Sequence, residues 1–84
     1  MAPVRLLKLK QVMDLTGLRM TSVYAHAKDG RFTPPIKLTA RSSAWPEPEV
    51  AAINQARIAG KSDAEIRALV GQLIAQRQQP QQAS

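Results

Sequence analysis

The chain has no cysteine and a single histidine in 84 residues. Disulfides and thiolate metal centres are therefore excluded, and one imidazole cannot hold a structural zinc by itself. Aromatic residues are scarce as well: one phenylalanine, one tyrosine and one tryptophan. A core built from them needs each as an anchor. No apolar run approaches the roughly 20 residues of a membrane span, and no apolar signal-peptide core follows the first residues. Gly-rich phosphate loops, metal-ligand clusters and a nucleophile spaced to meet a base are all missing, so the pattern predicts a binder rather than an enzyme, with no cofactor and no small-molecule ligand. A chain of this length carries one small domain whose core is limited by its surface-to-volume ratio.

Acidic residues are few, six against twelve Lys and Arg, and their distribution is uneven. From Met1 to Trp45 the cations Arg5, Lys8, Lys10, Arg19, Lys28, Arg31, Lys37 and Arg41 face only Asp14 and Asp29. From Pro46 to Ser84 Arg57, Lys61, Arg67 and Arg77 are balanced by Glu47, Glu49, Asp63 and Glu65. The whole net charge of +6 thus belongs to the N-terminal half. Segregation of this kind is the footprint expected of a surface that meets phosphates.

The charged half contains a helix-turn-helix pattern from Leu9 to Phe32. Lys10 to Leu15 reads as a first short helix with Val12 and Met13 on one face, and Thr16-Gly17 breaks it, because Gly17 can adopt positive φ without penalty. Leu18 returns to the core. A second helix starts around Arg19 to Thr21 and stops before Gly30, with Asp29-Gly30 as its turn. Met20, Val23 and Ala27 recur on its inner face. Thr21, Ala25 and Lys28 lie opposite, flanked by Ser22 and Tyr24, which makes an outward face that is small, hydroxylic and basic, as a helix in a DNA major groove requires. Tyr24 has two readings: ring against the core with its hydroxyl on a phosphate, or packing with the hydroxyl in water. His26 falls nearer the core, as a partly buried, hydrogen-bonded imidazole.

Outside this pattern, Val4 to Leu9 reads either as a short strand or as a segment laying Leu6, Leu7 and Leu9 on the core. Ile36-Lys37-Leu38 and Ser43-Ala44-Trp45 read as two strands joined through Thr39, Ala40, Arg41 and Ser42, with Pro34-Pro35 forbidding helix at the entry. This hairpin would act as a wing, Lys37 lying along the phosphates and Arg41 at the tip reaching backbone or minor groove. Trp45 ties the wing to the helices with Phe32 as neighbour. Glu47 to Ala59 is a third helix, its prolines confined to the first turn where Glu47 and Glu49 complement the dipole. Ser62-Asp63-Ala64-Glu65 is a capping box. It opens a fourth helix whose stripe of Ile66, Leu69, Val70, Leu73 and Ile74 either closes the core or pairs with a second copy as an oligomerisation surface. Gly71, unfavourable in a helix, suggests close packing there. The segments are thus 1–60, a DNA-binding domain; 61–78, a C-terminal amphipathic helix; and 79–84, a disordered tail, while Met1 to Pro3 is loose.

From Leu6 to about Arg57 the chain resembles the AlpA family of phage-type transcriptional regulators. The resemblance rests on a leucine-rich opening, the Thr16-Gly17-Leu18 turn, Ser22-Val23-Tyr24, the Gly30 to Leu38 stretch with Phe32, Pro34, Pro35 and Lys37, and the closure from Trp45 to Glu49-Val50. It implies a mainly α fold with a small β-hairpin, a winged helix-turn-helix related to MerR and excisionase domains. It also implies sequence-specific binding of double-stranded DNA for transcription control or, alternatively, DNA bending in excision. By position Thr21, Ser22 and Tyr24 match the recognition helix and Lys37 and Arg41 the wing. Arg19 stands where the family often has a small cap, and Met20 and Ala25 stand where it has arginines, so Arg19 restores a cation at the groove. A homodimer or cooperative array on DNA, in a bacterial cytoplasm and at the nucleoid when bound, fits this reading. A reading of another class is an adaptor that docks a partner protein on the Ile66 to Ile74 stripe.

Overall fold

Gly17 takes φ 75° and its N–H caps the first helix on the Met13 carbonyl at 2.8 Å. The Thr16 hydroxyl donates back to the Val12 carbonyl at 2.7 Å and accepts the Leu18 N–H at 3.2 Å, so the turn between the first two helices is held by local bonds. The computed structural model describes residues 3–78, and the expectations for 79–84 and for the first two residues lie outside them. In chain order the described elements are β1 (Leu6–Lys8), α1 (Leu9–Thr16), α2 (Met20–Lys28), β2 (Ile36–Thr39), β3 (Ser42–Pro46), α3 (Glu47–Ile58) and α4 (Asp63–Gln78). Four helices thus surround a small antiparallel sheet, the mainly α winged arrangement that the sequence predicts.

The sheet has the order β1-β3-β2, so Val4 to Leu9 contains a strand and the hairpin gains a third member. Leu7 pairs with Trp45 and both are fully buried, whereas Leu6 lies on the other face and is 41% exposed. Alternation along a strand allows only one of two successive leucines to enter the core.

Leu7, Val12, Val23, Phe32, Trp45, Val50, Ile53, Ile66 and Val70 form one buried cluster, to which every helix contributes. Trp45 is fixed at its centre by donating Nε1–H to the Thr33 carbonyl at 2.8 Å, and the Phe32 ring lies 6.3 Å away, centroid to centroid. Met20 departs from its predicted inward position and is 51% exposed. As the first residue of α2 it lies at the helix mouth, a turn away from the buried Val23.

The stripe of α4 closes this same core. Ile66 and Val70 are buried, and Leu69, Leu73 and Ile74 pack partly buried against them. Ile66 and Val70 therefore do not form a surface for a second copy, because they are buried in the chain's own core, where α4 packs on α3. The Ser62 to Glu65 box forms as the sequence predicts: Ser62 N–H donates to Glu65 Oε1 at 2.9 Å and Glu65 N–H to Ser62 Oγ at 3.1 Å. Hydrogen bonding from the Ser62 backbone N–H, then from its hydroxyl, holds the Glu65 carboxyl below its usual range. Gly71 is exposed, and a Cβ built there would meet nothing within 4 Å, so close packing does not account for it.

Candidate nucleic-acid interface

The second helix is amphipathic in a way that leaves one polar face outside. Val23 is fully buried, while Thr21, Ala25 and Lys28 are exposed and Ser22 is partly so. Arg19 precedes the helix in extended backbone, φ −81° and ψ 165°, and is exposed, with no side-chain cap on the first turn. Tyr24 is 41% exposed, and its ring stands 6.0 Å from that of Trp45 at an interplanar angle of 57°. A tilted pair at this distance is a favourable aromatic contact. The tyrosine thus leans on the residue that anchors the hairpin and links the orientation of α2 to that of β3.

The hairpin places Lys37 on β2, paired with Ser43 and exposed. A register shift follows between Lys37 and Thr39, and Arg41 is exposed in the turn, its N–H bonded to Thr39 Oγ1 at 3.2 Å. Ser42 starts β3 and accepts a hydrogen bond from Lys8 Nζ at 3.4 Å. Between the hairpin and the helices lies a cleft of about 320 Å³ lined by Lys8, Leu9, Lys10, Tyr24, Arg41, Ser42 and Ser43. It gathers three of the residues picked from the sequence, Tyr24, Arg41 and Ser42. Arg19, Thr21, Ser22, Ala25, Lys28 and Lys37 are not among its lining residues. Lys8, Leu9, Lys10 and Ser43 line it as well, although the sequence pattern does not point to them as site residues. Their placement depends on Lys8 pairing with Ala44 across β1 and β3, a register that periodicity within either segment does not specify.

Ion pairing divides the cations. Among the described residues Arg5, Arg31, Arg67 and Arg77 are paired with carboxylates of Glu47, Asp29, Asp63 and Glu49. Lys8, Lys10, Arg19, Lys28, Lys37 and Arg41 in the N-terminal half, and Arg57 and Lys61 beyond it, have no such partner among the described residues. The paired arginines tie elements together. Arg67 reaches from α4 to Asp29 at the end of α2, donating to its carboxylate at 2.8 Å and to its carbonyl at 3.2 Å. Arg31 meets the same carboxylate at 2.6 Å. These two bonds hold the Asp29 carboxyl below its usual range. His26 is partly buried on the same side, with Arg57 Nη2 at 3.4 Å from its Nδ1. Burial, then the charges of Arg31 and Arg57, lower its pKa against the weaker opposing pull of Asp29 and Asp63. It belongs to the contact between α2 and its supporting helices rather than to the outward face.

The model of the family described as "Prophage CP4-57 regulatory protein (AlpA)" matches residues 5–58. The chain belongs to the AlpA family. That family is a regulatory one, and the match runs from just before β1 to the last residue of α3. An uncharacterized protein, ORF88 of Enterobacteria phage P4, is 37% identical over 57 residues, which are 68% of this chain and 65% of that protein. The chain therefore matches somewhat less than two thirds of that relative's length. No solved structure matches the chain. The α4 helix lies outside the AlpA match, yet it supplies Ile66 and Val70 to the core. Among the described residues no helix is long and apolar enough to cross a membrane.

Proposed function

We propose that the protein binds double-stranded DNA sequence-specifically and regulates transcription, with α2 in the major groove and the hairpin on the flanking backbone. The observation that carries this reading is the exposed, hydroxylic and cationic side of α2 beside a hairpin whose cations have no carboxylate partner. Arg19, Thr21, Ser22, Ala25 and Lys28 are the residues for the groove, where small and hydroxyl side chains allow close approach to base edges. Lys37, Arg41, Ser42 and the Tyr24 hydroxyl are the residues for phosphates, which fix register without reading sequence. Membership in a regulatory family and the similarity to a phage protein agree with that role.

The test is selection of bound duplexes from a random pool, followed by titration of the selected site at several salt concentrations. A recovered consensus and a log–log salt slope of about −4, from roughly four neutralised phosphates, are expected. Arg41→Ala should weaken binding on all sequences alike, and Thr21→Ala should relax the consensus at one position. A pool that yields no enrichment, with affinity independent of salt, ends this reading.

A further inference from the structure

The cleft between the hairpin turn and the start of α1 is cationic on both walls. Lys8 and Lys10 line it from the α1 side and Arg41, Ser42 and Ser43 from the hairpin side, where Ser42 Oγ accepts from Lys8 Nζ at 3.4 Å; Tyr24 lines it from α2, and no carboxylate is among its lining residues. Lys8 is the residue before α1, and Leu9 and Lys10 are its first two, so the positive end of the helix dipole opens on the same space. The Lys8 N–H is already bonded to Gln11 Oε1 at 2.9 Å.

The two lysines are in the wrong place for the stability of α1. Cations at a helix N-terminus are repelled by the unpaired N–H groups of the first turn, where carboxylates are favoured. Here the first turn of α1 has no acid, and the lysine ammonium groups have no carboxylate partner among the described residues. Three cations thus line one cleft with no carboxylate beside them, an arrangement that favours an anion there.

We propose that this cleft holds a phosphodiester of the DNA backbone, clamped between Lys8 and Lys10 on the α1 side and Arg41 with Ser42 and Ser43 on the hairpin side. The inference rests on the DNA-binding reading above and adds a second wall to the contact made by the wing. Duplex DNA is favoured over a free anion because the cleft adjoins α2 through Tyr24. The strand that α2 reads then passes between helix and hairpin.

The consequence is a residue whose effects on folding and on binding have opposite signs. Lys10→Glu places a carboxylate at the positive end of α1, so its melting temperature should be at or above that of the wild-type chain. Its affinity for the selected duplex should fall at least tenfold, with the salt slope shallower by about 1 or more. Lys61→Glu, the same charge change between α3 and α4, controls for bulk charge and should lose much less. A neutral methylphosphonate scanned along each strand should weaken wild-type binding at one position and leave Lys10→Glu binding unaffected there.

If Lys10→Glu binds the duplex as tightly as Lys61→Glu does, while Arg41→Ala and Thr21→Ala still weaken binding, the clamp is wrong and the DNA-binding reading stands. If inorganic phosphate raises the wild-type melting temperature but Lys10→Glu leaves DNA affinity unchanged, the cleft is a free-anion site and the proposal is overturned. If the wild-type protein binds no duplex, both fall together.

Discussion

Arg77 in α4 grips Glu49 in α3 at two points, Nε to Oε2 at 2.8 Å and Nη2 to Oε1 at 2.7 Å. The same Nη2 donates to the Pro34 carbonyl at 2.8 Å. One guanidinium thereby joins the far end of α4, the first turn of α3 and the segment that enters the hairpin. Glu49 is only 8% exposed, and Arg77 is the cation paired with it among the described residues. Arg77→Ala should destabilise the protein by about 3 kcal/mol, because it leaves a buried carboxylate unpaired. Replacing both residues, Glu49→Leu with Arg77→Met, should recover most of that loss. Urea unfolding of the four members of the cycle measures it, and a double variant no more stable than Arg77→Ala would refute the account.

The contribution of α4 to the core bears on what the smallest folded unit is. A chain ending at Lys61 retains the residues matched by the family model but loses Ile66, Val70, Arg67 and Arg77. Its α3 would expose apolar surface that a domain this small cannot spare. The shortened chain should lack a cooperative thermal transition and DNA affinity. A sharp melt close to that of the full chain would instead make α4 an appendage.

What the sequence reveals follows the range of the interactions. The α1–α2 turn, the Ser62 to Glu65 cap and the proline-bearing start of α3 are each set within a few residues by glycine φ, hydroxyl capping or missing N–H groups, and all are legible. Trp45 as anchor is legible because few large side chains compete for the centre. The third strand, the cleft under Lys8 and the Arg77 to Glu49 bond join residues 28 or more apart in the chain, and no local pattern encodes them. Met20 shows the converse limit: helical period assigns a face, while burial also requires something opposite, which the mouth of α2 lacks.

Gly71 is a helix-interior glycine with open space where a methyl group would go. Gly71→Ala removes backbone freedom from the unfolded chain and should stabilise the protein by up to about 1 kcal/mol. Differential scanning calorimetry would register this as a rise in melting temperature with unchanged DNA affinity. A lower melting temperature would mean that another surface, such as a second copy, closes on that face of α4.

His26 predicts a pH dependence. Burial, Arg31 and Arg57 keep its folded pKa below the ordinary 6.5, so the unfolded chain takes up the proton more readily. The stability it contributes is complete above 6.5 and is lost as pH falls through the lowered folded value. The depressed carboxyls of Asp29 and Glu65 act in the same direction but only below their ordinary 3.8 and 4.5. Between pH 7 and 5 the urea midpoint of the wild-type protein should therefore drop more than that of His26→Gln. Parallel curves for the two proteins would exclude His26 as the titrating group.

Tyr24 combines a ring against Trp45 with an exposed position in the cationic cleft, and two substitutions separate these contributions. Tyr24→Phe keeps the tilted aromatic pair and removes only the hydroxyl, so its unfolding free energy should stay within about 0.5 kcal/mol of the wild type. If the hydroxyl donates to a phosphate, duplex affinity should fall several-fold on every sequence, because backbone contacts carry no base preference. Tyr24→Ala also removes the ring, which should cost about 1 to 2 kcal/mol of stability for a half-buried aromatic and loosen α2 against the hairpin. Its affinity should then fall further than that of Tyr24→Phe. Equal affinities for the wild type and Tyr24→Phe, with loss confined to Tyr24→Ala, would assign the tyrosine to packing alone and leave the phosphate contact to the surrounding cations.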